Sequence, residues 1–388
     1  MELSSRVQNV SASLTLAITA KAKKMKREGV DVIGFGSGEP DFDTPSHIKQ
    51  AGISAIQKGL TKYTPASGTD ELKKAICDKF YDDNKLKYES SRIVVSCGAK
   101  HSIYNIFQAV CDRGDEVIIP APYWLSYPEM VKLASATPVF IETDEKSGFK
   151  VVPEKLKAVL TKKTKVLVLN SPSNPTGCVY NIDELKKIRD IVVKNNILVI
   201  SDEIYEEIIF DQKSHVSIAS LDKDIFNQAI VVNGVSKSFA MTGWRIGYAG
   251  FCDDKIASAV KNLQSHSTSN PTSISQEAAL QALKEKTSDV ENMVREFERR
   301  RNYIVGRINN IKGLSCARPG GAFYVFPRIE KKDMASMELS ERLLAEAKVA
   351  VVPGKAFGSD RHIRLSFATS MENIEKGMDR MEAWFIKG

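Results

Sequence analysis

Long apolar segments, disulfide patterns and low-complexity blocks are all missing from this sequence of 388 residues. No apolar run reaches the roughly 18 residues of a membrane-spanning helix, and the first residues lack the apolar segment of a secretory signal. The six cysteines form neither a Cys-x-x-Cys pair nor a cluster with histidine, which argues against disulfides and a metal site. We therefore expect an ordered cytoplasmic protein with no metal and no membrane partner.

A net charge of +7 raises the question of a nucleic-acid partner. The basic residues are scattered, however, and the two densest groups, at 21–27 and 299–301, lie in helix-patterned stretches with apolar neighbours. Such runs are usually solvated helix faces, so we expect no nucleic-acid partner. A mildly positive field instead favours the approach of anionic substrates.

Short apolar strands alternate with amphipathic helices through the first two thirds of the chain. This rhythm predicts an α/β fold with a mostly parallel seven-stranded sheet covered on both faces. Asn181 followed by Glu184 indicates a capping box at the start of one helix. The predicted strands are 93–96, 116–119, 138–142, 165–170, 197–201, 229–233 and 248–251, and the helices are 102–110, 128–133, 183–195 and 255–263.

The pattern changes after about residue 275, and the change predicts a second unit. A charged helical region over 276–310 leads to alternating strands around 322–326 and 362–367, with a helix over 339–347 between them. This composition indicates a smaller α+β domain. The predicted division is an N-terminal segment 1–44 that joins the small domain, a large domain 45–280 and a small domain 281–388.

Lys237 lies in the most informative segment of the chain, at 236–248. The segment follows an apolar strand, close to the sheet edge where open α/β folds bind ligands. The amine of Lys237 can form an imine (a Schiff base) with an aldehyde, while the Ser236 hydroxyl and the Arg245 guanidinium can hold a phosphate. An aldehyde that bears a phosphate is pyridoxal 5′-phosphate, so the segment predicts a site for this cofactor.

Two further strand ends carry residues that suit a pyridine ring. Asp202 ends a buried strand, where a carboxylate is costly without a partner such as a protonated ring nitrogen. Ile204 points the same way by strand alternation and would pack on one ring face. Asn174 and Tyr205 are placed to hydrogen-bond the phenolic oxygen of the ring. Taken singly, Asp202 could instead be a capping residue before a loop, and the Pro- and Gly-rich segment around Asn174 could be a rigid turn with a purely structural role.

The junction of Gly98, Ala99 and Lys100 predicts a phosphate cradle, because free backbone N–H groups point outward where a helix follows a strand. Lys100 supports this interpretation, since a cation in a first helical turn costs about 0.3–1 kcal/mol unless an anion lies nearby. Trp124, which follows another strand, is predicted to stack on the open ring face. An exposed lysine and a core tryptophan are the alternatives at these two positions.

Arg364 alternates with apolar residues at 363, 365 and 367, so it faces away from them. There its planar guanidinium can bind a carboxylate through two hydrogen bonds, and an exposed strand arginine is the alternative. Tyr63 lies in a loop bounded by Gly and Pro, and on its own it suits a surface tyrosine.

The order and spacing of these motifs resemble those of the class I (fold type I) pyridoxal phosphate-dependent aminotransferases, most closely the bacterial-type aspartate aminotransferase subgroup. The resemblance covers nearly the whole chain and implies a homodimer with active sites at the subunit interface. It implies that Tyr63 reaches the phosphate of the neighbouring subunit's cofactor, and that Arg364 with the backbone at Gly38 holds the substrate α-carboxylate. Further matching segments are 38–42, 62–65, 122–124, 174–177, 202–205, 321–324 and 352–354.

Substrate choice depends on two more positions of the resemblance. The segment 264–270 lacks the arginine that more distant aspartate aminotransferases use for the distal carboxylate. In the subgroup resembled here, a lysine after the phosphate-loop glycine and an N-terminal threonine take that role, and Lys100 and Thr15 match them. Trp124 and Asn174 are expected to contact the substrate as well. Aspartate and 2-oxoglutarate are therefore the expected substrates, with aromatic amino acids or prephenate as the alternative.

The implied reaction is ping-pong amino transfer, with Lys237 as general base and acid. Other pyridoxal phosphate enzymes, such as a C–S β-lyase or a decarboxylase, would share the cofactor residues. A nicotinamide dehydrogenase is disfavoured, because Gly34, Gly36 and Gly38 do not complete the dinucleotide motif and no helix is expected after them. A regulator that senses the cofactor would need a DNA-binding segment, for which we expect no room.

Overall fold

The computed structural model of the chain describes residues 2–11, 14–285, 287–330 and 334–387, with the backbone alone at Ser5, 14–17 and Thr19. A seven-stranded sheet forms its centre. The strand Gly247–Gly250 runs antiparallel to both neighbours, and the other four pairings are parallel. This confirms the predicted α/β class. In spatial order the strands are Ile93–Ser96, Gly247–Gly250, Ala229–Gly234, Leu198–Asp202, Thr164–Asn170, Glu116–Ala121 and Thr137–Glu142.

Alternate residues of each central strand enter two separate cores, which is why these strands are apolar almost throughout. In Ala229–Gly234, Val231 packs into the core with Ile188, while Ile230 and Val232 pack into the other core with Ile106. Every predicted strand is present, with ends displaced by no more than two residues.

Helices cover both faces of this sheet. The capping box of Asn181 and Glu184 is present, with both reciprocal hydrogen bonds. The helix predicted to begin at Ser102 begins at Ala99, because Gly98 takes a positive φ of 92° and turns the chain directly into it. The helices of this part are Ser46–Gln57, Asp70–Asn84, Ala99–Val110, Ser126–Leu133, Pro153–Val159, Ile182–Lys194, Lys223–Phe226, Asp254–Ser265 and Ser273–Lys284.

A further core lies between the helices Ser288–Asn310 and Met371–Lys387 and several short strands. The charged region predicted over 276–310 is two helices, Ser273–Lys284 and Ser288–Asn310. The helix predicted over 339–347 begins earlier, as Ser336–Arg342, and continues as a π-helical turn, Leu343–Ala347. The short strands are Leu314–Ser315, Tyr324–Val325, Arg328–Ile329, Val349–Ala350, Val352–Pro353 and Ile363–Ser366.

The N-terminal segment contacts this second unit. Its strand Ile33–Gly34 pairs in parallel with Val349–Ala350, and its helix Leu14–Arg27 packs there through Ile18 and Ala22. A short helix, Ser5–Gln8, precedes it. The exact domain boundaries at 44 and 280 stay a prediction. Among the described residues, the helices are all too short or too polar to cross a bilayer.

Candidate active site

A cavity of about 580 Å³ lies where the parallel strands end, and the second unit forms its other wall. This is the place where open α/β sheets bind ligands. Gly98 and Tyr63 are not among the lining residues, although Gly98 comes directly before Ala99, which is. The side chain of Thr15 lies outside the described residues. The predicted site residues that line the cavity are Gly38, Ala99, Lys100, Trp124, Asn174, Asp202, Ile204, Tyr205, Ser236, Lys237, Arg245 and Arg364.

Lys237 follows the strand Ala229–Gly234 on a turn, and its amine points into the cavity. Nζ donates a hydrogen bond of 2.6 Å to the backbone oxygen of Gly38. Burial lowers the pKa of Lys237 to about 8, and the charges of Arg245 and Arg364 act in the same direction. A pKa this low leaves far more of the amine neutral at physiological pH than in an ordinary lysine, and the neutral amine is the nucleophile and the base.

Asp202 ends the strand Leu198–Asp202 and is buried at the floor of the cavity. Its Oδ2 accepts a hydrogen bond of 2.5 Å from the Tyr127 hydroxyl, and its Oδ1 accepts one of 3.3 Å from the Ile204 backbone N–H. Burial raises the pKa of Asp202 to about 6, although both donors oppose this shift. The carboxylate therefore has donors on both oxygens but lacks a salt bridge to any described cation, which suits a cationic ligand group.

A buried ion-pair network lies next to this strand and outside the cavity. Glu203 pairs with His215 at 2.8 Å, and Glu206 pairs with Lys79 and accepts a hydrogen bond from Asn233. Glu203, Glu206 and His215 bring possible metal ligands within 4.8 Å of one another. The Lys79 ammonium already neutralises the Glu206 carboxylate. The cluster is therefore better explained as an ion-pair network beside the strand end that carries Asp202 than as a metal site.

The junction before the helix Ala99–Val110 has the shape of an anion cradle. A Cβ atom at Gly98 would lie 2.5 Å from Arg245 Nη2, and one at Gly247 would lie 2.0 Å from the backbone nitrogen of Ala99. The two glycines thus let the guanidinium and the helix start approach each other. Arg245 is anchored by hydrogen bonds from Nη1 to the Thr242 backbone oxygen, 2.8 Å, and from Nη2 to the Cys97 backbone oxygen, 3.2 Å. A helix start beside a fixed guanidinium suits a phosphate.

Arg364 lies buried in the strand Ile363–Ser366, on the opposite side of the cavity from the sheet. Nη1 donates to Asn174 Oδ1 and Nη2 donates to the Gly36 backbone oxygen, both at 3.0 Å. Nε is buried without a partner among the described residues. A buried guanidinium that lines a cavity is a suitable site for a carboxylate.

Tyr205 and Tyr324 close one wall with a hydrogen bond of 2.9 Å between their hydroxyls. Their rings are nearly perpendicular, and the Arg364 guanidinium lies 4.4 Å from the Tyr324 ring centre.

Lys100 lies elsewhere on the cavity wall, where its Nζ is 5.0 Å from the Trp124 ring centre. Burial lowers the pKa of Lys100, and the nearby Arg245 adds to the effect. An anion beside Lys100 would offset this cost.

Sequence reasoning missed several residues of the cavity. Tyr127 and Tyr324 were not predicted to take part, although Tyr324 lies in one of the motifs of the resemblance. Glu39 also lines the cavity, as do Lys23 and Lys26 from a stretch expected to be a solvated helix face. Helical spacing places 22 and 26 on one face, a signal that could have found Lys26.

Comparison with known proteins agrees with this geometry. The family "Aminotransferase class I and II" matches residues 30–381. An aspartate aminotransferase of Bacillus subtilis (strain 168) is 48% identical over 100% of both chains, and a probable aspartate/prephenate aminotransferase of Aquifex aeolicus is 46% identical over 98% of both. The aspartate aminotransferase of Thermus thermophilus with maleate has a TM-score of 0.95 at 41% identity over 99% of both chains. The chain therefore belongs to the class I and II aminotransferases, and it is an enzyme of that family.

Proposed function

We propose that this aminotransferase uses pyridoxal 5′-phosphate to transfer the amino group of L-aspartate to 2-oxoglutarate, giving oxaloacetate and L-glutamate in a ping-pong cycle. The observation that carries the proposal is the meeting of three groups in one cavity. These are the Lys237 amine, the Asp202 carboxylate and the Arg364 guanidinium, which come from three different elements.

The cavity residues fit this cofactor. The anion cradle formed by Gly98, Ala99, Ser236 and Arg245 suits its phosphate, because two glycines keep the cradle open and a fixed guanidinium borders it. Asp202 suits the ring nitrogen, since its oxygens accept only neutral donors within the described residues. Ile204 and Trp124 are assigned to the two ring faces, and Asn174 and Tyr205 to the phenolic oxygen.

Lys237 acts as the proton carrier in this proposal. Pyridoxal phosphate supplies an electron sink that makes the α-hydrogen of a bound amino acid acidic. Burial lowers the pKa of Lys237 to about 8, so its Nζ can act first as a base and then as an acid. It takes the proton from Cα and delivers it again in the later protonation step. Asp202 keeps the ring nitrogen protonated by offering it a buried carboxylate.

Dicarboxylic substrates are supported by two cations that line the cavity from different elements, Arg364 in the strand Ile363–Ser366 and Lys100 in the helix Ala99–Val110. Arg364 is assigned to the α-carboxylate, together with the backbone at Gly38, because its planar guanidinium lines the cavity and can bind a carboxylate through two hydrogen bonds. Lys100 is assigned to the distal carboxylate, with Thr15 as a further contact. Relatives named aspartate aminotransferase support this assignment. The aspartate/prephenate aminotransferases among the relatives support prephenate as a second candidate substrate.

A homodimer with shared active sites belongs to the same proposal. Tyr63 is 88% exposed, which suits a residue that reaches a neighbouring subunit's phosphate. The six cysteines are all free thiols, which supports a reducing compartment such as the cytoplasm.

The visible absorption of the purified holoenzyme tests the proposal. A band that changes on addition of aspartate and returns with 2-oxoglutarate is the expected result. The Lys237→Ala variant should lose turnover by at least about a thousandfold, since it lacks the proton carrier, while keeping its circular dichroism. A band that responds to prephenate and glutamate but not to aspartate would show that prephenate, not aspartate, is the substrate. If no band forms after pyridoxal phosphate is added, the cofactor assignment is wrong.

A further inference from the structure

The basic stretch at 21–27 is not a uniform solvated face. It belongs to the helix Leu14–Arg27, which packs on the second unit through Ile18 and Ala22. Lys23 and Lys26 are exposed, and both line the cavity. The other two lysines of the stretch, at 21 and 24, are exposed and do not line it. The helix therefore sorts its lysines into two that face the cavity and two that do not.

Helical geometry explains this sorting. Residues four apart share one face of a helix, so Ile18, Ala22 and Lys26 form one stripe. All three line the cavity; the first two are buried against the second unit, and the third is an exposed lysine. Lys24 points elsewhere and pairs with Glu28 at 3.9 Å. Among the described residues, neither Lys23 nor Lys26 has an ion-pair partner.

The charge around the cavity is strongly unbalanced. Glu39 and Asp202 are the two carboxylates that line it. Six cationic side chains line it: Lys23, Lys26, Lys100, Lys237, Arg245 and Arg364. A cleft with walls of one sign focuses its field outward and raises the local concentration of counter-ions. Four of the cations already have roles in the proposed function, and the two on the helix do not.

We propose that Lys23 and Lys26 form a cationic entrance that draws dicarboxylate substrates into the cavity. This inference rests on the proposed function and adds residues that set its substrate preference. A Coulomb energy scales with ligand charge. The entrance should therefore act more strongly on a 2-oxo dicarboxylate, which carries two negative charges, than on aspartate, whose ammonium leaves it with one.

The test compares two double variants that lose the same total charge from the same helix. Lys23→Gln/Lys26→Gln removes the cavity-facing pair, and Lys21→Gln/Lys24→Gln removes the outward pair. Glutamine has nearly the helix propensity of lysine, so neither should disturb the helix. The kcat and KM of the holoenzyme are measured for 2-oxoglutarate and for aspartate, at low ionic strength and in about 1 M salt, where the Debye length is about 3 Å.

The cavity-facing variant should lose about fivefold in kcat/KM for 2-oxoglutarate and about twofold for aspartate at low salt, less than the roughly 10–10³-fold effect of a complete steering field, because only two of the six cations are removed. The loss should fall on KM rather than on kcat and should vanish in high salt. The outward variant should stay close to the parent, and Lys23→Arg/Lys26→Arg should retain the parent kcat/KM.

Two results would overturn the entrance alone: equal losses in both glutamine variants, or no loss in the cavity-facing one while aspartate is still transaminated. A parent enzyme that transfers no amino group from aspartate would instead overturn the proposed function and this inference together.

Discussion

The orientation and the pKa of the Asp202 carboxylate depend on the Tyr127 hydroxyl. The Tyr127 hydroxyl donates to Oδ2 at 2.5 Å from a fully buried position, and its ring packs edge-on against Trp124. Tyr127 thereby orients the carboxylate and opposes the effect of burial on the pKa of Asp202. We regard it as a positioning residue for the proposed ring-nitrogen contact.

Replacing Tyr127 by Phe should weaken the binding of pyridoxal phosphate to the apoprotein by about tenfold, because a hydrogen bond to a charged group contributes about 1.5–3 kcal/mol. Titration of the apoprotein with the cofactor measures this. Tyr123→Phe is the matched control, since the Tyr123 hydroxyl makes no hydrogen bond with the described residues and its ring stacks on Phe140. Equal affinities in both variants would contradict the role of Tyr127.

The buried amine of Lys237 should show its low pKa in its reactivity. Because burial lowers this pKa to about 8, the neutral amine dominates above that pH and the unreactive ammonium dominates below it. Reductive methylation of the apoprotein by formaldehyde and a borane reductant, followed by peptide mass spectrometry, should therefore label Lys237 with a midpoint near pH 8. The Asp202 charge raises the pKa, so Asp202→Asn should move the midpoint down. A midpoint near the ordinary lysine value of about 10.4 would contradict the prediction.

At the level of elements, the cavity depends on one close crossing. The strand Gly247–Gly250 passes directly under the start of the helix Ala99–Val110, and a Cβ at Gly247 would meet the backbone at 2.0 Å. Backbone atoms cannot move aside as a flexible side chain can. The glycine therefore sets the distance between the sheet and the anion cradle.

Gly247→Ala should destabilise the protein by about 3 kcal/mol, the upper part of the usual range for overpacking, and should also weaken cofactor binding. Urea unfolding of the apoprotein measures the first effect and cofactor titration the second. Gly243→Ala is the control, because a Cβ there meets nothing within 4 Å. A Gly247→Ala protein with the parent's midpoint and affinity would show that the helix can shift freely.

Element prediction succeeded where one local pattern decided the structure. The seven strands are apolar runs, and their ends lie within two residues of the predicted ones. The small strands of the second unit were harder, since Tyr324–Val325 and Val352–Pro353 are only two residues long and depend on their shared partner Ile363–Ser366. Such short strands gain their stability from the neighbours that pack on them rather than from their own sequence.

At the level of the whole molecule, one surface stands out. Ile53 and Ile56 lie one turn apart on the helix Ser46–Gln57 and are exposed, and Leu60 follows them. Tyr63 is on the same stretch of chain. Exposed apolar residues next to a tyrosine assigned to a neighbouring active site suit the proposed dimer interface.

Ile56→Asp should dissociate the proposed dimer and lower cofactor affinity by about tenfold, because Tyr63 would lose its proposed place beside the partner's phosphate. Analytical ultracentrifugation and cofactor titration measure the two effects. Ile182→Asp is the control, since Ile182 is 46% exposed, close to the 57% of Ile56, but begins a different helix. A monomer with unchanged cofactor affinity would contradict shared sites, and a parent protein that is monomeric would contradict the dimer.

The sequence by itself determined which residues could do chemistry. Twelve of its predicted site residues line one cavity. Several of them, such as Ala99, Lys100 and Asp202, sit at a strand end or a helix start, and such positions follow from local patterns. Only the tertiary structure decided who their neighbours are. Tyr127 reaches Asp202 across 75 positions, and Lys26 turns toward the cavity because its helix docks on the second unit. Periodicity reports which face of an element is apolar, whereas contacts between distant elements depend on how those faces pack together.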